Sequence, residues 1–297
     1  MAEQTGVMVR GAALARARRS GGRSPLQRFL RNRAAAIGGA IVLLMIAASV
    51  AAPVIAPHDP VAQNLMVTLQ GPSRTYPFGT DNLGRDILSR VLYGGRITLP
   101  IAFLGVLMAL VVGVPTGLLA GYRRGVVDAL IMRLTDILLA FPSMLLAIAI
   151  MSALGVRLIT VSIAIAVFST PIYNRVVRAE VLRLREREFV LAARCLGARD
   201  RRILFKHILP NAMSPIIIQS TLNAALAIIT VSALSFIGLG AQPPLAEWGV
   251  MLAEGRGFMQ VAWHVTTFPG LAIFLVVLGF NLLGDGLRDA YDPQSRS

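Results

Sequence analysis

The chain is poor in the residues that do chemistry. Among 297 residues there are one cysteine, one lysine and three histidines. A lone Cys195 forms no internal disulfide, and the basic segment around it reads as the reducing side, so it reads as an inert packing residue. His58, His207 and His264 are too scattered for a metal site, and no His-Glu-x2-His pair occurs. The only lysine, Lys206, has no glycine before it, which excludes a Gly-x4-Gly-Lys-Ser/Thr phosphate loop. Acids are scarce as well: 15 Asp and Glu stand against 29 Lys and Arg, a formal net charge of +14. Six long apolar runs hold no Asp, Glu, Lys or Arg at all. That argues against an ion-driven pump, which relies on buried titratable relays, and against an intramembrane enzyme. No catalytic residue and no metal ligand is assigned.

What is abundant is apolar. Mean hydropathy is +0.67, with 55% hydrophobic and 15% charged residues, far from a soluble domain. Crossing about 30 Å of hydrocarbon takes roughly 20 apolar residues. Ala34–Ala56, Thr98–Gly121, Ile137–Leu154, Leu158–Tyr173, Met213–Gly240 and Val265–Leu283 qualify, the fourth being short. The pattern predicts an all-α polytopic membrane protein with six transmembrane helices. Of the 29 basic residues, 23 lie before Ala34, in 122–136, in 174–212 and after the sixth run. That bias places both termini and the 174–212 loop in the cytoplasm, and 57–97 and 241–264 outside. Blocks of charge between spans, without interleaved aromatics, speak against nucleic acid.

Residues 1–33 read as a basic cytoplasmic tail, of which the first 27 suggest a disordered arm near anionic lipid. The length of that tail and of the run after it favours an uncleaved anchor over a signal peptide. Residues 34–293 read as one transmembrane domain, and 294–297 as a C-terminal end. Gly113-x3-Gly117-x3-Gly121 around Pro115 is either a stripe for close helix packing or chance in a glycine-rich chain. Gln219, Asn223, Thr230 and Ser232 in the fifth run either glue helices together or line a hydrophilic route. In Phe78–Arg90, Thr80-Asp81 can cap a short helix along the membrane surface. Arg85 and Asp86 there serve structural pairing or a docking protein. Trp248 reads as an anchor at the water–lipid boundary in preference to a ligand-stacking ring.

One basic stretch stands out. Phe189-Val-Leu-Ala-Ala-Arg-Cys-Leu-Gly197 is followed by nine residues and then His207-Ile-Leu-Pro210. Val190, Ala193, Leu196, Ile203 and Leu204 recur at helical spacing, so one face can press against a neighbour. Gly197 can take the left-handed conformation that stops a helix, and Asp200 can cap the next one. Ala192 and Ala193 keep the first helix thin.

This stretch resembles the Glu-Ala-Ala motif (Glu-Ala-Ala-x3-Gly-x9-Ile-x-Leu-Pro) of the membrane subunits of bacterial ABC importers. Ala192, Ala193, Gly197, Leu209 and Pro210 match; Leu191 stands in place of the glutamate and His207 in place of the isoleucine. Phe78–Arg90, Ser235–Gly240, Pro243-Pro244, Glu247–Leu252 and Gly284–Pro293 are similar to segments of the dipeptide/oligopeptide/nickel permease family, of its C-type subunit. The resemblance covers about Arg28 to Pro293.

It implies a type I ABC importer permease fold in a bacterial inner membrane, carrying di- or oligopeptides or a related small solute. It implies a second, homologous permease as heterodimer partner, two ATP-binding subunits and an extracytoplasmic solute-binding protein. ATP and magnesium would sit on the ATPase subunits, with no cofactor on this chain. Leu191, Ala192, Ala193, Gly197, His207, Leu209 and Pro210 would couple to the ATPase. The rival expectation is a self-sufficient channel or ion-coupled carrier.

Overall fold

A computed structural model describes residues 32–291. The expected tail up to residue 31 and the end from Asp292 onward lie outside the described residues. The first helix, α1 (Arg33–Ile55), starts where the Asn32 side chain accepts from the Ala34 and Ala35 amides. Next comes α2 (Ile87–Arg123), 37 residues long with Pro100 and Pro115 inside it. Then follow α3 (Gly125–Ala140), α4 (Ser143–Leu154), α5 (Leu158–Leu184) and α6 (Glu188–Cys195). A turn at Asp200–Arg202 and a π-helical stretch at Ile203–Ile208 lead into α7 (Leu209–Phe236). The chain closes with α8 (Trp248–Gly255) and α9 (His264–Tyr291). Among the described residues there is no strand, only one isolated bridge between Thr80 and Asp86.

Among the described residues five helices are long and apolar enough to cross a membrane, or six if the pair α3 and α4 counts as one span. The expected third span, Ile137–Leu154, is therefore corrected: it is interrupted at Phe141-Pro142, where the two helices meet at 94°. Proline cannot continue the hydrogen-bond ladder, and the residue before it leaves the helical region, here with Phe141 extended.

The central pair is α2 against α5. A Cβ placed on Gly113 would lie 2.7 Å from Tyr173 Cβ, on Gly117 2.9 Å from Val177 Cβ, and on Gly121 2.7 Å from Val181 Cβ. Gly105, against Ile165 Cβ at 2.7 Å, and the fully buried Ala109 continue the stripe toward the start of α2. The stripe is a packing seam, and at each of its glycines a side chain larger than hydrogen is excluded. Polar groups pin the same helices: Thr116 donates to Asn174 Oδ1 at 2.5 Å, and Asn174 Nδ2 donates to Thr135 of α3 at 3.1 Å. Arg178 of α5 also grips Asp128 of α3 through two bonds of 2.6 and 2.7 Å. Helix α1 lies against α9, where a Cβ on Gly38 would come 2.7 Å from the Gly279 carbonyl.

Two other expectations are corrected. No separate surface helix forms in Phe78–Arg90: Asp86, not Thr80-Asp81, caps the helix, accepting from the Ser89 amide at 2.8 Å, and that helix is α2 itself. Trp248 is no boundary anchor. It is 0% exposed, and its indole donates to the Val91 carbonyl at 2.9 Å, because α8 folds back between α7 and α9.

Candidate functional site

At the end of the bundle where α2 stops, α5 continues past the apolar core and turns into α6. Two hydrogen bonds close that turn, Gly197 N–H to the Arg194 carbonyl and Ala198 N–H to the Ala193 carbonyl, both 3.0 Å. Gly197 has φ +77°, with open space where a Cβ would stand. Its role is therefore conformational, stopping α6 in the left-handed region.

The elbow is fastened from within. Val190, Ile203 and Ile208 are fully buried and pack with Leu118, Val177, Val181 and Leu184. Tyr122 at the end of α2 donates to Asp200 Oδ1 at 2.6 Å, and Arg194 lies 5.9 Å from the Tyr122 ring centroid. Asp200 is thus a tether and not the expected helix cap.

The predicted apolar face divides. Val190 and Ile203 turn inward, whereas Leu196 is 88% exposed. The outward surface is Leu191, Ala192, Cys195 and Leu196, which share one side of the helix at spacings of one, four and five. Cys195, expected to be packed, is exposed. Ala193, His207 and Leu209 are half-buried. Pro210 lies exposed in the first turn of α7, where its missing N–H costs little. Arg187, Arg194, Arg199, Arg201, Arg202 and Lys206 are exposed around this surface.

The four polar residues singled out in the fifth run separate in space. Asn223 and Thr230 share a cavity of about 310 Å³ with Phe141, Ser143, Phe168 and Ser169, in front of the break between α3 and α4. Gln219 donates weakly to Asn223 Oδ1 at 3.4 Å. Ser232 lies elsewhere, buried where the backbone of Gly249 in α8 presses against it.

The opposite end of the bundle holds a buried charge cluster. Arg85 Nε reaches Asp81 Oδ2 at 2.6 Å, and Arg85 and Arg90 both reach Glu254 Oε2, at 2.9 and 2.8 Å. Of the two roles the sequence leaves open for Arg85, the structure shows the pairing. Glu254 lies 169 residues from Arg85, and no motif in the sequence assigns a role to it or to Glu247. Glu247 is fully buried, accepts from the Thr98 hydroxyl at 2.9 Å and caps α8 at the Val250 amide at 3.0 Å. Burial pushes its carboxyl above the usual range, against those hydrogen bonds. An acid directly before a short run of small and apolar residues is the only local signal. At the far terminus, Asp289 accepts from Asn32 at 3.0 Å and so braces the start of α1. Among the described residues no three His, Cys, Asp or Glu side chains converge as a metal site.

Comparison with known proteins fits this arrangement. Residues 113–297 match the family described as the binding-protein-dependent transport system inner membrane component, and residues 23–72 match the N-terminal TM domain of oligopeptide transport permease C. A dipeptide transport system permease protein of Alkalihalophilus pseudofirmus is 47% identical over 93% of this chain and 90% of its own length. A glutathione transport system permease protein of Pectobacterium atrosepticum is also 47% identical, over 91% of this chain and 90% of its own. Among solved structures, an inward-facing form of the MetNI methionine ABC transporter matches with TM-score 0.56 at 18% identity, covering 68% of this chain and 97% of that one. This last likeness concerns the fold alone, which is that of an ABC importer permease. With its spans, its elbow and relatives aligned along nearly its whole length, the chain belongs to the family of binding-protein-dependent transport system inner membrane components.

Proposed function

We propose that this chain is one half of the membrane pathway of a peptide importer, worked by separate ATP-hydrolysing subunits that grip the elbow. The observation that carries the reading is the outward face of Leu191, Ala192, Cys195 and Leu196, thin and apolar, ended by the left-handed Gly197. Residues His207, Leu209 and Pro210 shape the return limb. Such a face fits a groove on another protein, and the inward tethers Val190, Ile203 and Tyr122–Asp200 carry its displacement into α2, α5 and α7.

The basic bias around the elbow supports a cytoplasmic placement of this end, with both termini on that side, in a bacterial inner membrane. A homologous second permease would complete the pathway as a heterodimer. Two ATPase subunits would hold ATP and magnesium, and an outer solute-binding protein would deliver cargo. The relatives' names point to dipeptides, glutathione or a similar small peptide. The cavity at Asn223 and Thr230 is the stretch of this chain best suited to meet it, with Gln219 at its margin and Ser232 in a supporting role. Residues 57–97 and 241–264 would form the outer surface and 174–212 the coupling loop.

The test is assembly and transport. The tagged chain, expressed with its neighbouring transport genes and purified in mild detergent, should bring down a second permease and ATPase subunits. With Cys195 as the sole cysteine, a short bifunctional reagent should join it to the ATPase. Uphill uptake by vesicles holding this chain alone would instead support a self-sufficient carrier and sink the proposal.

A further inference from the structure

A groove of about 370 Å³ runs along the flank of the bundle between α1 and α2, lined by Ile46, Val50, Leu99, Pro100 and Phe103, with Arg96 beside it. Its walls are mostly hydrocarbon, the Ser49 hydroxyl being satisfied by the Met45 carbonyl, and two further polar features belong to Arg96, one on either side of its Cα along the helix. The first is Arg96 itself, exposed and without an ion pair among the described residues. Its guanidinium lies 5.7 Å from the Tyr93 ring centroid, a contact that steadies it. The second follows from Pro100. A helical carbonyl points at the N–H four residues on, and Pro100 has none to offer the Arg96 carbonyl. That carbonyl is thus directed toward an exposed, groove-lining proline and lacks its intrahelical donor.

Both walls belong to helices of membrane-spanning length, so the groove opens toward the acyl chains of a bilayer. From Arg96 to Phe103 the helix advances on the order of 10 Å, a trough long enough for about eight methylenes. A planar guanidinium matches a phosphate through paired hydrogen bonds. The bare carbonyl accepts from an N–H or O–H.

We propose that this groove holds one phospholipid, with its phosphate on the Arg96 guanidinium and a headgroup N–H or O–H on the Arg96 carbonyl. One acyl chain would lie along Val50, Leu99, Ile46 and Phe103. Phosphatidylethanolamine and phosphatidylglycerol carry the required donor; phosphatidylcholine does not. The proposal is independent of which cargo the chain transports.

The experiment is native mass spectrometry of the assembled transporter in a neutral detergent, titrated separately with these three lipids. The expected result is one tightly held phosphatidylethanolamine or phosphatidylglycerol per copy of this chain, with phosphatidylcholine about tenfold weaker, as for loss of a hydrogen bond. Arg96→Gln should lower retention by tenfold or more. Val50→Trp, which fills the trough and leaves the charge in place, should do the same. Both positions are exposed, so assembly is expected to survive; were it to fail, the wild-type ranking of the three lipids decides alone. Equal retention of all three, unchanged binding in both variants, or a Val50→Cys cross-link to the partner permease would overturn the assignment.

Discussion

Where α2 begins, the enclosed Asp81, Arg85 and Arg90 and the half-buried Glu254 are paired with one another. Where α2 ends, arginines outnumber acids; Glu186, Glu180 and Asp128 pair with some of them, while Arg187, Arg194, Arg199, Arg201 and Arg202 stand exposed around the elbow. A buried ion pair is costly to desolvate and becomes ruinous when one partner is removed. An exposed cation is nearly free energetically, and open to another molecule. The first end is built to stay as it is; the second is left incomplete.

The sharpest way to break this contrast is Glu254→Ala, which leaves two enclosed arginines, Arg85 and Arg90, with Asp81 as their one remaining acid. Breaking a buried pair costs about 3–5 kcal/mol. The variant should fail to accumulate, or should melt far below wild type in a detergent thermal-shift assay. Normal yield and melting would mean that water reaches the cluster freely.

Gly197→Val comes next. The left-handed region costs a residue with a Cβ about 1–2 kcal/mol, and a β-branched one at least that. Since open space surrounds Gly197, the damage stays local. Membrane insertion should be normal, while ATP hydrolysis no longer drives uptake in reconstituted vesicles. Wild-type uptake would remove the elbow from coupling.

Glu247→Gln probes the enclosed end by pH. The raised carboxyl means the folded protein binds a proton more tightly than the unfolded chain. Wild-type stability should therefore fall as pH rises from the unfolded value near ~4.3 through the raised folded one. The glutamine variant keeps the cap and should lack that slope. Parallel melting curves against pH would contradict the assignment.

The smallest effect on stability is expected at Leu196→Glu. A surface substitution stays within about 0.5 kcal/mol, so melting should hardly move, yet the ATPase subunits should no longer co-purify. A lowered melting point with intact co-purification would reverse the contrast between the two ends.

Hydropathy made the spans legible, and the spacing of Ala192, Ala193, Gly197 and Pro210 made the elbow legible. Windows of hydropathy average over single residues, so the bend at Phe141-Pro142 disappeared inside an apolar run although its proline was visible. The segment leading into α2 suggests a surface helix because Thr80-Asp81 offers a capping signal just ahead of apolar residues at helical spacing. The neutralising partner of Arg85 and Arg90, Glu254, is distant in sequence, and no local rule connects it to them. Trp248 failed for the same reason: its burial depends on α8 folding back, which its own neighbours do not announce. Asp200 has a local propensity to cap a helix, and the hydroxyl of Tyr122 outcompetes that role.

The glycine seam between α2 and α5 also limits where a solute can travel. With backbones that near, no water file or peptide slips through that wall. Any conduit must open on the faces turned away from it, toward the cracked α3–α4 arm and whatever subunit stands opposite.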